Sequence, residues 1–162
     1  MEPEIEIRAA TPGDVDQIGE LFDLYRQFYA QPADPELARA FISERVAKRE
    51  SVILVACRRS SRLLGFAQLY PTFCSVSAAR ICILYDLFVS PESRRTGIGR
   101  ELLRAAADHA ARAHAVRVEL ATAKTNRAAQ TLYQSLGWVR DDVFDRYSLS
   151  VTGRGDRSPN AL

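Results

Sequence analysis

Apolar and polar residues along the chain follow two spacings, one typical of strands and the other typical of helices. Alternation or short apolar runs predict strands at 5–8, 52–58, 64–73, 80–89 and 116–122, with a closing pair at 138–140 and 144–151. Apolar residues three and four apart predict helices at about 15–29, from Asp34 onward, at 97–113 and at 127–136. A turn signal near residues 60–62 makes the second and third strands an antiparallel pair.

This order of elements, β-α-α-β-β-β-α-β-α-β-β, predicts an α/β fold in which a mixed sheet carries helices on its faces. Thr11, Pro12 and Asp14 have the pattern of a capping box with proline in the first helical turn. A length of 162 residues suits one domain. We place that domain at 1–151 and expect 152–162 to be a frayed tail.

Composition narrows the class of protein. Hydrophobic residues make up 47% of the chain and charged residues 26%, as in ordinary soluble domains, and the net charge of +2 is too small to suggest a nucleic-acid-binding protein. No apolar run approaches the ~20 residues that span a bilayer, and the acidic N-terminus does not resemble a signal peptide. We therefore expect a cytoplasmic protein that binds neither nucleic acid nor membrane, with no metal site and with three reduced cysteines, Cys57, Cys74 and Cys82.

The strongest chemical signal lies in residues 84–105. An apolar strand ends at Val89, and the chain after it combines positive charge, small residues and the start of a helix: Arg94, Arg95, Gly97, Gly99 and Arg100. Backbone N–H groups, a helix N-terminus and arginines in one place hold phosphate or pyrophosphate groups well.

Two other glycine-containing motifs are alternative interpretations of this loop. A dinucleotide-binding G-x-G-x-x-G has some support, because Glu119 lies near the position of the ribose-binding acid in that motif, but Leu102 occupies the third glycine position. A Walker A loop is excluded because no Gly-Lys-Ser/Thr follows.

The third motif that the loop can be compared with is R/Q-x-x-G-x-G/A, which residues Arg94-Arg95-Thr96-Gly97-Ile98-Gly99 match at every fixed position. Farther on, the segment 126–138 contains a second motif, in which Asn, Ala, Tyr, Leu-Gly and an aromatic residue follow one another. With both motifs at the expected separation, the chain resembles the GNAT family of N-acetyltransferases, and the resemblance is specific over 80–140. Within that family, the run 84–89 is also similar to members that acetylate polyamines or other small amines.

The resemblance implies a mostly antiparallel mixed sheet with a splayed central strand pair, and acetyl-CoA as the cofactor. It implies that backbone groups near Leu87 hold the pantetheine arm, with a backbone amide there stabilising the tetrahedral oxyanion. The cofactor-binding residues expected from it are Leu87, Phe88, Val89, Arg94, Arg95, Thr96, Gly97, Ile98, Gly99, Arg100, Asn126, Ala129 and Tyr133. Asn126 could instead be a simple helix N-cap.

Acetyl transfer to an amine needs a proton for the departing thiolate and a neutral amine. Tyr133 is the general acid that the resemblance implies, although its helical spacing would also suit a core residue. Asp86 is the nearby candidate base, or else a structural carboxylate at the splayed strand. Where polyamine-acetylating relatives commonly have glutamate, this chain has Tyr85, which leaves the base assignment and polyamine specificity open.

The acceptor pocket is expected to involve Tyr25, Phe28, Tyr29, Tyr85 and Asp86. Aromatic faces can hold an amine cation, although such a cluster is also typical of a core. The sequence thus favours N-acetylation of a small primary amine, such as an amino acid, a diamine or a polyamine-like molecule. Acetylation of a protein or peptide at its N-terminus or at lysine, and a non-catalytic acyl-CoA-binding module, remain alternatives, and a homodimer through the apolar closing strand pair stays open.

Overall fold

The computed structural model describes residues 5–58 and 62–151. Its five strands are β1 (Ile5–Ala9), β2 (Val52–Arg58), β3 (Leu63–Cys74), β4 (Ala79–Val89) and β5 (Val118–Leu120). Its four α-helices are α1 (Val15–Phe28), α2 (Pro35–Lys48), α3 (Ile98–Arg112) and α4 (Arg127–Ser135). The chain divides into two compact units, Met1–Ala121 and Thr122–Leu162, so that α4 alone of these elements lies in the second.

The strands form one mixed sheet in the order β1-β2-β3-β4-β5. Neighbours are antiparallel from β1 to β4, and β5 pairs with β4 in parallel. The predicted α/β class with a mixed, mostly antiparallel sheet and flanking helices is therefore confirmed.

The first unit buries both faces of its sheet. On one face, α1 and α2 pack through residues such as Ile18 and Ile42 against Val55, Phe66 and Phe88. Side chains that alternate with these on the strands, including Leu54 and Ala67, are also buried, and α3 packs on the sheet with Leu102 and Ala106 buried. We infer that α3 covers the opposite face.

Polar contacts fasten the connection from β1 to α1. The carboxylate of Asp14 accepts a hydrogen bond from the Thr11 N–H at 2.7 Å, as the capping-box pattern predicts. The Arg8 guanidinium binds both oxygens of the same carboxylate, at 2.7 and 2.8 Å, and this hydrogen bonding holds the pKa of Asp14 well below its usual range. The start of α1 is thus tied to the edge strand.

Glycine is required where β3 and β4 come closest. A Cβ atom at Gly65 would lie 2.7 Å from the Phe88 carbonyl oxygen and 3.2 Å from the Cα of Val89. Its absence lets β3 run tightly against the end of β4, just before the basic loop.

The predicted closing strand pair at 138–140 and 144–151 is wrong. Among the described residues from 138 to 151 the backbone forms no strand, and the side chains of Val139, Val143, Phe144 and Tyr147 are exposed. The Asp141 carboxylate accepts hydrogen bonds from the N–H groups of Val143 and Phe144, which makes a local turn in place of a ladder. The described residues therefore lack the strand pair through which a homodimer was left open, and the homodimer itself stays untested.

Other predicted boundaries need smaller changes. The strand predicted at 116–122 shortens to β5, because its ladder with β4 covers only three residue pairs. Most of the predicted turn at 60–62 and all of the predicted tail at 152–162 fall outside the described residues. In the part of the chain that the structure describes, no helix combines the length and the apolar character that crossing a membrane requires.

Candidate active site

An irregularity in the β3–β4 ladder shapes the site. Gln68 lies opposite Asp86 and Leu69 lies opposite Leu84, so Tyr85 has no partner and is the extra residue of a β-bulge. A bulge bends its strand and changes the direction of the side chains beside it. Here the Tyr85 ring packs edge-on against Tyr70, with centroids 5.4 Å apart, and Asp86 faces Gln68.

Asp86 lies at the centre of a polar group, which we call the Asp86 cluster and which consists of Tyr25, Gln68, Tyr70, Tyr85 and Asp86. Asp86 is 8% exposed and Gln68 is fully buried. The Gln68 Nε2 donates to Asp86 Oδ2 at 2.6 Å. The Tyr25 hydroxyl donates to the Tyr85 carbonyl at 3.0 Å and also hydrogen-bonds the Asp86 carboxyl. The cluster therefore joins α1, β3 and β4.

Burial controls the ionisation of this cluster. Desolvation raises the pKa of Asp86 to about 6, although the hydrogen bonds from Gln68 and Tyr25 oppose the rise. Burial also raises the pKa of Tyr70 to about 12, with a further contribution from the Asp86 charge. At neutral pH the cluster thus holds a protonated Tyr70 beside a carboxylate that titrates close to the operating range of a general base.

The predicted aromatic residues of α1 continue from this cluster toward the surface. Tyr25 packs edge-on against Phe66 and Phe88 of the core, with centroids 6.3 and 6.2 Å away. Tyr29 contacts Tyr25 at 5.1 Å, and Phe28, which is 55% exposed, contacts Tyr29 at 5.2 Å. Tyr25 is therefore both a core residue through its ring and a site residue through its hydroxyl.

Sequence reasoning missed Gln68, Tyr70 and Ser51. Ser51 Oγ donates to Gln68 Oε1 at 2.7 Å, so these residues extend the polar group beyond Asp86. One signal was present: Gln68 is the single strongly polar residue inside the apolar run from 63 to 70. A buried amide in such a strand needs partners, and a facing carboxylate is a natural one.

Strand β4 has an open edge beyond the bulge. β5 pairs with it only at Cys82, Ile83 and Leu84 and then ends at Leu120. From 87 to 89, β4 keeps its ladder with β3 on the other side. Among the described residues of the first unit, no strand ladder continues on its edge toward β5 at 87–89, where the resemblance predicts that the pantetheine arm binds.

The basic loop after β4 has the conformation of an anion-binding turn. A 3₁₀ turn spans Pro91–Ser93, Arg95 has φ +64° and Gly97 has φ +88°, and α3 begins at Ile98. The first N–H groups of a helix have no intrahelical partner, and a Cβ built on Gly97 meets no atom within 4 Å. Arg95, Thr96 and Gly97 are exposed, whereas the Ile98 side chain is buried and anchors the turn. The loop therefore presents donors and positive charge to open space.

Two side chains fasten this loop. Thr96 Oγ1 donates to the Ser93 carbonyl at 2.6 Å. Arg94 Nε donates to the Val89 carbonyl at 3.1 Å, and its guanidinium lies 5.5 Å from the Phe88 ring centroid and 5.9 Å from that of Phe28. Arg94 thus connects the loop to the aromatic residues of α1, and its charge faces rings rather than only solvent.

The remaining predicted residues belong to the second unit. Asn126 is the N-cap of α4, and its Oδ1 accepts from the Ala129 N–H at 3.3 Å. Tyr133 packs near Trp138, with ring centroids 6.0 Å apart, and Gly137 follows α4 with φ +83°. Asn126, Ala129 and Tyr133 are three and four residues apart, so they lie on one side of the helix, and all three are half-buried.

These features define an α/β fold in which one central strand carries a bulge and leads into a basic loop at the N-terminus of a helix. The model of the acetyltransferase (GNAT) family matches residues 18–138. The chain belongs to this family, and it is an acetyl-CoA-dependent N-acetyltransferase. The dinucleotide alternative for the loop is thereby set aside.

Individual relatives agree with this assignment. The uncharacterized N-acetyltransferase YhfO of Bacillus subtilis (strain 168) is 44% identical over 150 residues, which are 93% of this chain and 100% of that protein. A crystal structure of a probable acetyltransferase is 40% identical, with a TM-score of 0.84 over 91% of this chain and 98% of its own. The aminoglycoside N-acetyltransferase AAC(6')-Iy, solved in complex with CoA, has a TM-score of 0.78 over 92% of this chain and 97% of its own; at 16% identity, that likeness concerns the fold alone.

The buried charge of Asp86 should cost stability at neutral pH. The folded state binds the Asp86 proton more tightly than the unfolded chain does, because the pKa rises from an ordinary 3.8 to about 6. Stability is therefore lost as the pH rises from about 4 through 6. We expect Asp86→Asn to raise the free energy of unfolding by about 1–3 kcal/mol at pH 8, with the gain vanishing near pH 4.

Urea unfolding of both proteins at pH 4 and pH 8 measures this difference. Asp14→Asn is the matched control with the opposite sign, since the Arg8 contact lowers the pKa of Asp14 and its charge stabilises the fold at neutral pH. A loss of stability in both variants at pH 8 would contradict the account of Asp86.

Proposed function

We propose that the enzyme transfers the acetyl group of acetyl-CoA to the primary amine of a small molecule, such as an amino acid, a diamine or a polyamine-like amine. One observation carries the proposal: a single buried carboxyl, Asp86, lies among three tyrosines at the bulge of β4. A carboxylate and aromatic faces are the groups that recognise a small ammonium ion.

The cofactor end of the site fits coenzyme A. Acetyl-CoA, when bound, supplies a thioester that an amine can attack. The N–H groups from 95 to 99, with Arg95 and Arg100, would hold its pyrophosphate, because they combine a left-handed turn with the N-terminus of a fifteen-residue helix. The open edge of β4 at 87–89 would pair with the pantetheine arm, and a backbone N–H near Leu87 would stabilise the negative charge that develops on the carbonyl oxygen.

Asp86 would serve as the base for the amine. An alkyl ammonium with a pKa near 10 is neutral in about one molecule per thousand at pH 7, which costs roughly 4 kcal/mol. The raised pKa of Asp86, about 6, makes its carboxylate a better proton acceptor than an ordinary aspartate while leaving it mainly ionised at pH 7. Tyr85, which is 40% exposed, and Tyr25 would hold the ammonium beside it.

Tyr133 would return a proton to the coenzyme A thiolate. A phenol with a pKa near 10 is a weak acid toward a thiol of pKa near 8.5, so the reaction depends on close positioning. Asn126 and Ala129 would line the cofactor from the same side of α4.

An amine panel tests the proposed function directly. Purified enzyme with acetyl-CoA is offered amino acids, diamines, spermidine, lysine peptides and peptides with free N-termini, and release of coenzyme A thiol is measured. We expect turnover with at least one small primary amine and little with peptides. Turnover confined to peptides would establish protein acetylation instead, and tight acetyl-CoA binding with no thiol release for any amine would establish a binding module.

Replacing Tyr133 tests the proposed acid. Tyr133→Phe should lower kcat at least tenfold while the Kd for acetyl-CoA stays nearly unchanged, because only the proton donor is lost. Tyr147→Phe is the matched control, since Tyr147 is 89% exposed in the same unit. Unchanged kcat in Tyr133→Phe would remove this residue from the mechanism.

The base is tested by the pH dependence of kcat/KM. Asp86→Asn should lower kcat/KM about 100-fold or more across pH 6–9, a range in which the wild-type carboxylate goes from about half to almost fully ionised. Asp108→Asn, which removes an exposed carboxylate from α3, should behave as wild type. Full activity of Asp86→Asn throughout this range would exclude Asp86 as the base.

A further inference from the structure

We propose that Gln68 is a positioning residue for the acceptor site: its amide, held by the Ser51 hydroxyl, keeps the Asp86 carboxylate in one orientation and favours its ionised form. This inference rests on the proposed function in so far as Asp86 is the base.

The direction of the hydrogen bonds follows from the chemistry of the groups. An ionised carboxylate can only accept, so the Gln68 atom 2.6 Å from Asp86 Oδ2 is the donating Nε2. The Gln68 Oε1 then points the other way, where Ser51 Oγ lies 2.7 Å away and donates to it. The Ser51 hydroxyl, which can donate or accept, fills the hydrogen-bonding position on that side and holds the amide in place, while the ionised Asp86 sets its direction.

Burial makes the carboxylate of Asp86 depend on the Gln68 donor. Gln68 is fully buried and Asp86 is 8% exposed, so water has little access to replace a lost donor. A donor to a charged acceptor stabilises the charged form, and a 2.6 Å contact is typical of such charge-assisted bonds. Removing the donor would therefore shift Asp86 toward its protonated form, which cannot act as a base.

Other groups around Asp86 do not substitute for Gln68. Tyr25 of α1 also bonds the carboxyl, but its hydroxyl is shared with the Tyr85 carbonyl. Tyr70 of β3, whose pKa is raised to about 12, packs its ring against Tyr85 of β4.

Two charged groups act on Tyr70, the neighbour of Asp86 in this cluster. Arg45 of α2 and Glu50, which follows α2, both influence Tyr70. They bind each other, with Arg45 Nε donating to Glu50 Oε2 at 2.6 Å. Gln68 is thus the fully buried donor aimed at the carboxylate.

The test measures the ionisation of Asp86 without depending on activity. The side-chain carboxyl carbon of Asp86 is followed by carbon NMR against pH in the full-length protein, with the signal assigned by its loss in Asp86→Asn. Gln68→Met keeps the length of the side chain and removes the donor, and Ser51→Ala releases the amide. Leu69→Val is the control, because Leu69 is equally buried on the neighbouring position of β3.

We expect a wild-type titration midpoint near 6. Gln68→Met should raise it by about one pH unit, Ser51→Ala should raise it by less, and Leu69→Val should leave it unchanged. The pH at which kcat/KM falls on the acid side should rise by the same amount as the NMR midpoint. The kcat/KM of Gln68→Met should therefore be about fivefold below that of the wild type at pH 6 and nearly equal to it at pH 9. Ser51→Ala keeps the test decisive if Gln68→Met does not fold.

The outcomes separate the two claims. An unchanged titration midpoint in Gln68→Met would overturn the positioning role of Gln68. If Gln68→Met does not fold, an unchanged midpoint in Ser51→Ala would overturn it. A midpoint that rises while the acid limb of kcat/KM stays in place would uphold the hydrogen-bond chain and overturn Asp86 as the base of the proposed function.

Discussion

The hydrogen bond between Gln68 and Asp86 crosses the β3–β4 ladder at the point where β4 bulges, and the acceptor end of the site depends on it. Without the bulge, the residues after Leu84 would continue in the regular register, and Asp86 would not lie opposite Gln68. With it, a carboxylate is buried beside a fixed donor and a tyrosine hydroxyl. A charge in such a place is costly to the fold, and a cost of this kind is common where a protein tunes a catalytic group.

The same strand also builds the cofactor end. After the bulge, β4 keeps its ladder with β3 on one side, while its ladder with β5 ends at Leu84, just before the Asp86 cluster. The strand then enters the turn whose left-handed residues, Arg95 and Gly97, lead into α3. Arg94 links the two ends, because it bonds the Val89 carbonyl and lies over Phe28 and Phe88.

Sequence patterns predicted the parts of this fold that depend on local spacing. The helices, the first four strands and the basic loop follow from periodicity, capping residues and glycine positions, which act over a few residues. The bulge at Tyr85 could not be predicted, since it depends on the register between β3 and β4. Gln68 was missed for the same reason: only the register shows that it faces Asp86. The alternation at 144–151 was misleading because an alternating segment forms a strand only where a partner edge accepts it.

A crystal structure of the enzyme with coenzyme A and the amine that the enzyme acetylates tests the central claim most directly. The account predicts that the amine nitrogen lies within hydrogen-bond reach of the Asp86 carboxylate, about 2.6–3.2 Å away or through one water, with Gln68 Nε2 still bound to the other side of that carboxylate. An amine nitrogen bound away from Asp86, with no water joining the two, would contradict it.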